Sequence, residues 1–148
     1  MKISTKGRYG LRIMLELTLA YQKNLVTVRQ IGRNQEISEK YIEQIISMLH
    51  KAGLVQSQRG AQGGYRLAAP PETISVGAIL RATEGGLDPV KCTDAQKGWI
   101  CERMGLCSTE QVWRDIKNAV EDVVDNIQLS SLIEDEAREE PFELGYLA

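Results

Sequence analysis

Ile37-Ser38-Glu39-Lys40-Tyr41-Ile42-Glu43-Gln44, followed by Leu54-Val55-Gln56-Ser57 and then Arg59-Gly60-Ala61-Gln62-Gly63-Gly64-Tyr65-Arg66-Leu67, is the part of the chain that decides the fold. Ile42, Ile45, Ile46 and Leu49 recur at helical spacing and predict one buried stripe. Ser38 stands where a helix wants a cap, and Glu39 puts negative charge into the first turn, where the dipole favours it. Lys51 falls in the last turn and Gly53 ends the helix. Just upstream, Thr27 caps a shorter helix holding Val28 and Ile31, and Asn34-Gln35-Glu36 makes a brief turn between the two. Two short helices joined by a tight turn form a helix-turn-helix pattern. Residues 54–57 then read as a strand, 59–64 as a glycine-rich turn and 65–67 as the returning strand. A β-hairpin directly after the second helix of such a pair is a wing.

Ser4 and Thr5 are candidate caps of a first helix of about four turns, with Leu11, Met14, Leu15, Leu17, Thr18 and Leu19 along its stripe. Pro70-Pro71 breaks the chain, Ser75 caps a helix running to about Glu84, and Gly85-Gly86 ends it. Residues 87–107 read as an irregular loop holding all three cysteines. From Ser108 or Thr109 to about Leu129 runs the longest helix, with Val112, Ile116, Ala119, Val120, Val123, Val124 and Ile127 along it. That stripe is wide enough to serve both its own domain and a second chain. Ser130-Ser131-Leu132-Ile133 reads as one more short turn, and the acidic tail after Glu134 is expected to be poorly ordered. The expected fold is therefore mainly α with a small β-hairpin wing: a winged helix-turn-helix plus a long dimerisation helix. Its divisions are 1–84 for the winged unit, 85–107 for the cysteine loop, 108–133 for the long helix and 134–148 for the tail.

Of 148 residues, 43% are hydrophobic and 26% charged, ordinary for a soluble globular protein. No apolar run suits a membrane span and the first residues lack a secretion signal, so a cytoplasmic location with no membrane partner is expected. The net charge of -2 hides a strong asymmetry. Residues 1–66 carry 11 Lys+Arg against 4 Asp+Glu, whereas residues 67–148 carry 7 against 16. A basic half joined to an acidic half suggests that the first meets a polyanion.

A helix entering the major groove of DNA needs polar side chains near its start. Ser38, Lys40, Tyr41, Glu43 and Gln44 are in that position. Lys40 and Tyr41 suit phosphate oxygens, Gln44 suits adenine, and a carboxylate such as Glu43 can accept from the amino group of cytosine. An isolated glutamate on a helix is ordinarily just solvated, and the residues alone leave that alternative standing. On the wing, Arg59 and Gln62 can reach a minor groove or the backbone, and Gly63 permits close approach.

Cys92, Cys101 and Cys107 are separated by eight and then five residues. This is not the paired spacing of a zinc ribbon. Three thiolates could hold an iron–sulfur cluster with a fourth ligand of another kind, and unligated thiols or a redox-sensitive pair fit the spacing as well. The single histidine, His50, falls at the end of the third helix. No histidine lies near the cysteines to act as the base a thiol enzyme needs, so an enzyme is not expected.

Four stretches together resemble the family of winged-helix transcription regulators that includes IscR, NsrR and CymR: Ser4-Thr5-Lys6-Gly7-Arg8-Tyr9-Gly10, Ile37 to Gln44, Ala52-Gly53-Leu54-Val55 leading to Arg59-Gly60-Ala61-Gln62-Gly63-Gly64-Tyr65, and Val76-Gly77-Ala78-Ile79-Leu80. The resemblance covers roughly residues 1–133. It implies a homodimer on a palindromic double-stranded operator, with Glu43 reading bases and Arg59 touching DNA from the wing. It implies that the three cysteines hold an iron–sulfur cluster, of either 2Fe–2S or 4Fe–4S type, that senses iron–sulfur, redox or nitric oxide status. IscR-like members add a histidine soon after the last cysteine, and the matching position here is Glu110. NsrR-like members take a carboxylate from the partner's first helix, and the matching Arg8 cannot serve. CymR-like members lack the cysteines and answer to a partner enzyme of cysteine synthesis. A cluster-free regulator of sulfur metabolism, controlled by such an enzyme or by thiol oxidation, is thus the alternative.

Overall fold

Ser4 starts the first helix in the way its side chain allows: its Oγ accepts from the Lys6 amide at 3.1 Å. In the computed structural model, which describes residues 2–94 and 101–136, helix α1 runs Thr5–Leu19, α2 Val28–Gln35 and α3 Glu39–Lys51. Thr27 caps α2 through a reciprocal capping box: the Gln30 amide donates to Thr27 Oγ1 at 3.2 Å, and Gln30 Oε1 accepts from the Thr27 amide at 2.8 Å. Ser38 occupies the cap position of α3, but its hydroxyl makes no capping bond, contrary to the expected cap. The hydroxyl is exposed and left free for another partner.

Strands β1 (Val55–Gln58) and β2 (Gly64–Leu67) pair antiparallel, with Val55 opposite Leu67 and Gln58 opposite Gly64. Both strands sit about one residue from the expected bounds. Val26, in the connection between α1 and α2, exchanges two backbone hydrogen bonds with Tyr65, at 2.9 and 2.8 Å. The wing is thereby fastened to the helix-turn-helix rather than projecting on its own.

Helix α4 (Val76–Glu84) is capped by Ser75, whose Oγ accepts from the Ala78 amide at 3.1 Å, and ends at Gly85 in the left-handed region (φ 78°). Ile13, Met14 and Leu17 of α1, Ile31 of α2, four α3 side chains (Ile42, Ile45, Ile46 and Leu49) and Ile79 of α4 form the main core. Leu19, expected on the α1 stripe, is instead 48% exposed, while Ile13 is fully buried. Gly10 lets α1 and α4 touch, because a Cβ there would lie 2.8 Å from Thr83 Cγ2.

Helix α5 spans Glu110–Asp125, shorter than the sequence predicts, and α6 spans Leu129–Glu136. The interruption has a long-range cause. The Val76 amide donates to the Ile127 carbonyl at 2.9 Å, and the Leu129 amide donates to the Ile74 carbonyl at 3.0 Å. This bridge pulls residues 126–128 out of the helix and starts α6, whose Leu129 is completely buried in the main core. The expected short turn is therefore a helix, and it runs past residue 134. Residues 137–148 of the predicted tail lie outside the described residues. Among the described residues no helix is long and apolar enough to cross a membrane.

Candidate nucleic-acid interface and cysteine segment

The outward face of α3 is built by subtraction. Ile42, Ile45, Ile46 and Leu49 are consumed by the core, which leaves Lys40, Glu43 and Gln44 exposed beside Ser38. Tyr41 differs from these: it is half-buried, its ring edge-on to Tyr9 at 5.7 Å and 80°. Its body is therefore a packing element of the α1–α3 contact.

The sequence reading missed the residues that tie α1 to the end of α2. Arg12 lies 5.5 Å over the Tyr9 ring. Its Nε donates to Gln35 Oε1, and a terminal guanidinium nitrogen to the Gln35 carbonyl, each at 2.7 Å. Glu16 Oε2 accepts from Asn34 Nδ2 at 3.0 Å. Helix α1 thus grips the last turn of α2, just ahead of the turn into α3, from its polar side. The signal available was three polar or aromatic residues, Tyr9, Arg12 and Glu16, on one face of α1, but their partners are remote in sequence.

Arg59, Gly60, Ala61 and Gln62 are exposed at the wing tip. Gly63 is the corner on which the tip closes: its amide donates to the Gly60 carbonyl at 3.0 Å, and a Cβ would lie 2.3 Å from the Gln58 carbonyl oxygen. Between the tip and the start of α2 lies an open groove of about 520 Å³, bordered by Thr27, Ser57, Arg59 and Gly63. Arg29 and Arg33 of α2 are exposed and add basic charge that the sequence reading did not single out.

The three cysteines are free thiols of intermediate exposure. Cys92 lies in a single 3₁₀ turn, Lys91–Thr93, and borders a cavity of about 300 Å³ with Met104, Arg114 and Lys117. Cys107 precedes α5. The Thr109 hydroxyl, 3.2 Å from its sulfur, and then the Thr109 amide hold its thiol below the ordinary range. Glu110 is also held below its usual value, first by the Gly105 amide (3.1 Å to Oε2) and then by Arg114, whose Nε is 3.0 Å from Oε1. Both oxygens of the expected fourth ligand are thus engaged. Among the described residues no three His, Cys, Asp or Glu side chains converge on a common metal position. His50 is exposed at the end of α3, apart from the cysteines in the chain.

Helix α5 has no buried residue. Val124 and Ile127 lean on the small core of Val76, Leu80 and Leu87. Val112, Ile116 and Val123 face outward, 50%, 38% and 59% exposed, and with Ala119 they make a four-three-four spaced stripe.

A helix-turn-helix with an exposed polar second helix, flanked by a glycine-cornered wing, defines a winged-helix protein. The match to known proteins is specific: the chain belongs to the Rrf2 family, described as iron-dependent transcriptional regulator, over residues 3–135. It is 42% identical to the HTH-type transcriptional regulator IscR of Vibrio vulnificus strain YJ016 over 135 residues, covering 91% of this chain and 79% of that protein. It is 39% identical to the HTH-type transcriptional regulator CymR of Bacillus subtilis strain 168 over 132 residues, covering 89% of each. Among solved structures it is similar to CymR, the global cysteine regulator of B. subtilis (TM-score 0.74, 39% identity, 91% of this chain and 98% of that one). It is similar to T. potens IscR as well (TM-score 0.74, 39% identity, 95% and 93%). The chain is a transcriptional regulator of the IscR and CymR kind.

Proposed function

We propose that the chain works as a cytoplasmic, non-enzymatic homodimer that binds a palindromic DNA operator and reports the state of an iron–sulfur cluster held by residues 85–107 and the start of α5. The observation that carries the DNA reading is the free polar face of α3, with Ser38, Glu43 and Gln44 unpaired and Arg59 on the adjoining wing. In this reading α3 enters the major groove, Glu43 and Gln44 meet base edges, and Lys40, Tyr41, Arg59, Gln62 and Gly63 meet the backbone or minor groove. The outward stripe of α5 supplies the dimer contact, which would set two α3 helices about one turn of DNA apart.

For the cluster, the donor chemistry fits: three free thiols and a carboxylate, with the Cys107 thiol and Glu110 both held toward the ionised form that ligates. Cys92, Cys101, Cys107 and Glu110 would hold it, and Glu110 would have to be shared with or released by Arg114. The cluster supplies a group whose redox state and integrity respond to oxidants. The chain supplies the coupling. Glu84, the residue before the segment, accepts from the amide and hydroxyl of Ser4 and from the Gly7 amide, at 2.8–3.0 Å. Arg81 forms a two-pronged pair with Asp125 of α5 at 2.6 and 2.8 Å. Ordering the segment would therefore act on α4, which packs on both α1 and α3, and shift the population of binding-competent dimers.

The test is operator binding by fluorescence anisotropy together with iron and acid-labile sulfide analysis after anaerobic expression. Cys101→Ala is expected to abolish cluster retention and its influence on affinity. Glu43→Ala is expected to weaken the operator more than unrelated DNA, by about 1–3 kcal/mol of discrimination. Equal weakening of both would refute base reading. The engaged carboxylate of Glu110 favours a second reading, a cluster-free regulator of the CymR kind controlled by a partner enzyme of cysteine synthesis or by thiol oxidation. A colourless protein that still binds its operator would select it.

A further inference from the structure

We propose that Lys117 is the positioning residue for Cys92: it docks the turn carrying this thiol onto α5 and places a positive charge at the thiol's cavity. The purpose of this device rests on the cluster reading above. Lys117 Nζ donates to Asp88 Oδ1 at 2.7 Å and to the Thr93 carbonyl at 3.0 Å. The two acceptors bracket Cys92 in the chain, so one ammonium fixes the turn from both sides. Both partners of the ion pair are mostly shielded, with side chains 23% and 17% exposed. An ammonium so withdrawn from water is costly unless its hydrogen bonds are kept, and this holds the turn in place.

The geometry has a second consequence. Cys107 lies just ahead of α5 and Lys117 about two turns along it, so one rigid helix sets the positions of the first and last cysteines together. Arg114 and Lys117 border the cavity with Cys92. A cluster core ligated by thiolates and a carboxylate carries net negative charge, and reduction makes it more negative. Nearby cations therefore favour its binding and raise its reduction potential. Among the described residues, the side-chain hydrogen bond that holds the turn at 102–106 is the one from the Gly105 amide to Glu110 at the helix start.

The experiment compares the full-length wild type with Lys117→Met, which keeps the stem but loses charge and both hydrogen bonds, and with Lys117→Arg. In the metal-free protein, hydrogen exchange is followed at the Thr93 and Asp94 amides, which donate to Val90 and Lys91 within the turn. After anaerobic reconstitution with ferrous iron and sulfide, the midpoint potential and the electron paramagnetic resonance signal are recorded. Lys117→Met is expected to speed exchange at these two amides several-fold while α3 amides keep wild-type rates, and to lower the potential and alter the signal. Lys117→Arg is expected to restore both. Unchanged exchange at Thr93 and Asp94 overturns the proposal. So does faster exchange with a wild-type potential and signal, which would leave Lys117 a fold stabiliser only. If the wild type takes up no cluster, the cluster reading fails, and the exchange data alone decide whether Lys117 positions the turn. If Lys117→Met does not fold, Asp88→Asn tests the same anchor from the loop side.

Discussion

Replacing Glu84 by alanine removes three hydrogen bonds at once, because a single oxygen, Oε1, receives the Ser4 amide, the Ser4 hydroxyl and the Gly7 amide. Bonds to a charged acceptor contribute about 1.5–3 kcal/mol each, but three on one partly exposed oxygen are not additive. The carboxylate also sits at the amino end of α1, where a negative charge adds about 0.3–1 kcal/mol. The expected cost is about 2–3 kcal/mol, a large share of the roughly 5–15 kcal/mol of a typical domain. Urea unfolding at fixed protomer concentration measures it, since any dimer is stabilised by mass action. Glu84→Gln keeps an acceptor and loses the charge, so about 1 kcal/mol is expected. Hydrogen exchange separates local from global loss. If only the first turn of α1 frays, the Gly7 amide exchanges quickly while α3 stays protected. A Glu84→Ala protein within about 0.5 kcal/mol of wild type, with Gly7 still protected, would refute this account.

Three further outcomes follow from the geometry. Gly63→Ala places a Cβ against the Gln58 and Gly60 carbonyls, backbone that cannot swing aside, so the wing tip should open at a cost of about 1–3 kcal/mol; operator affinity should fall while far-ultraviolet circular dichroism stays helical. For Cys107 the Thr109 hydroxyl and amide favour the thiolate, so its alkylation by iodoacetamide should reach half-maximal rate at lower pH than an unstructured cysteine; Thr109→Val should move that midpoint up. Ile116→Asp puts a charge into the outward stripe of α5 without touching the core, so sedimentation should show a shift from dimer toward monomer, with operator affinity lost in parallel.

The parts legible in the sequence were those governed by local pattern. The stripe of Ile42, Ile45, Ile46 and Leu49 located α3, and the Arg59–Gly64 run located the wing, because periodicity and turn chemistry act over a few residues. The end of α5 was not legible, since Asp125 is followed by a bridge to Ser75 that no helical pattern announces. For the same reason α6 read as a turn, although Leu129 and Leu132 pack into the cores. On the outward face of α3, the exposed candidates Ser38, Lys40, Glu43 and Gln44 followed from subtracting the buried stripe. Tyr41 required knowledge of Tyr9, and the grip of Arg12 on Gln35 required the tertiary fold. Around the cysteines, composition named the donors, but the engagement of Glu110 by Gly105 and Arg114 depends on how the turn meets α5.

Helix α5 is pinned at its middle, to Asp88 and Thr93 through Lys117, and just past its end, to the start of α4 through the Val76–Ile127 and Ile74–Leu129 hydrogen bonds. With two such anchors the outward stripe of Val112, Ile116, Ala119 and Val123 is held at a fixed angle to α4, so it moves as a body with the helix and not residue by residue. Loosening either anchor would therefore re-aim the whole stripe, turning a local break into a change felt along the length of the helix.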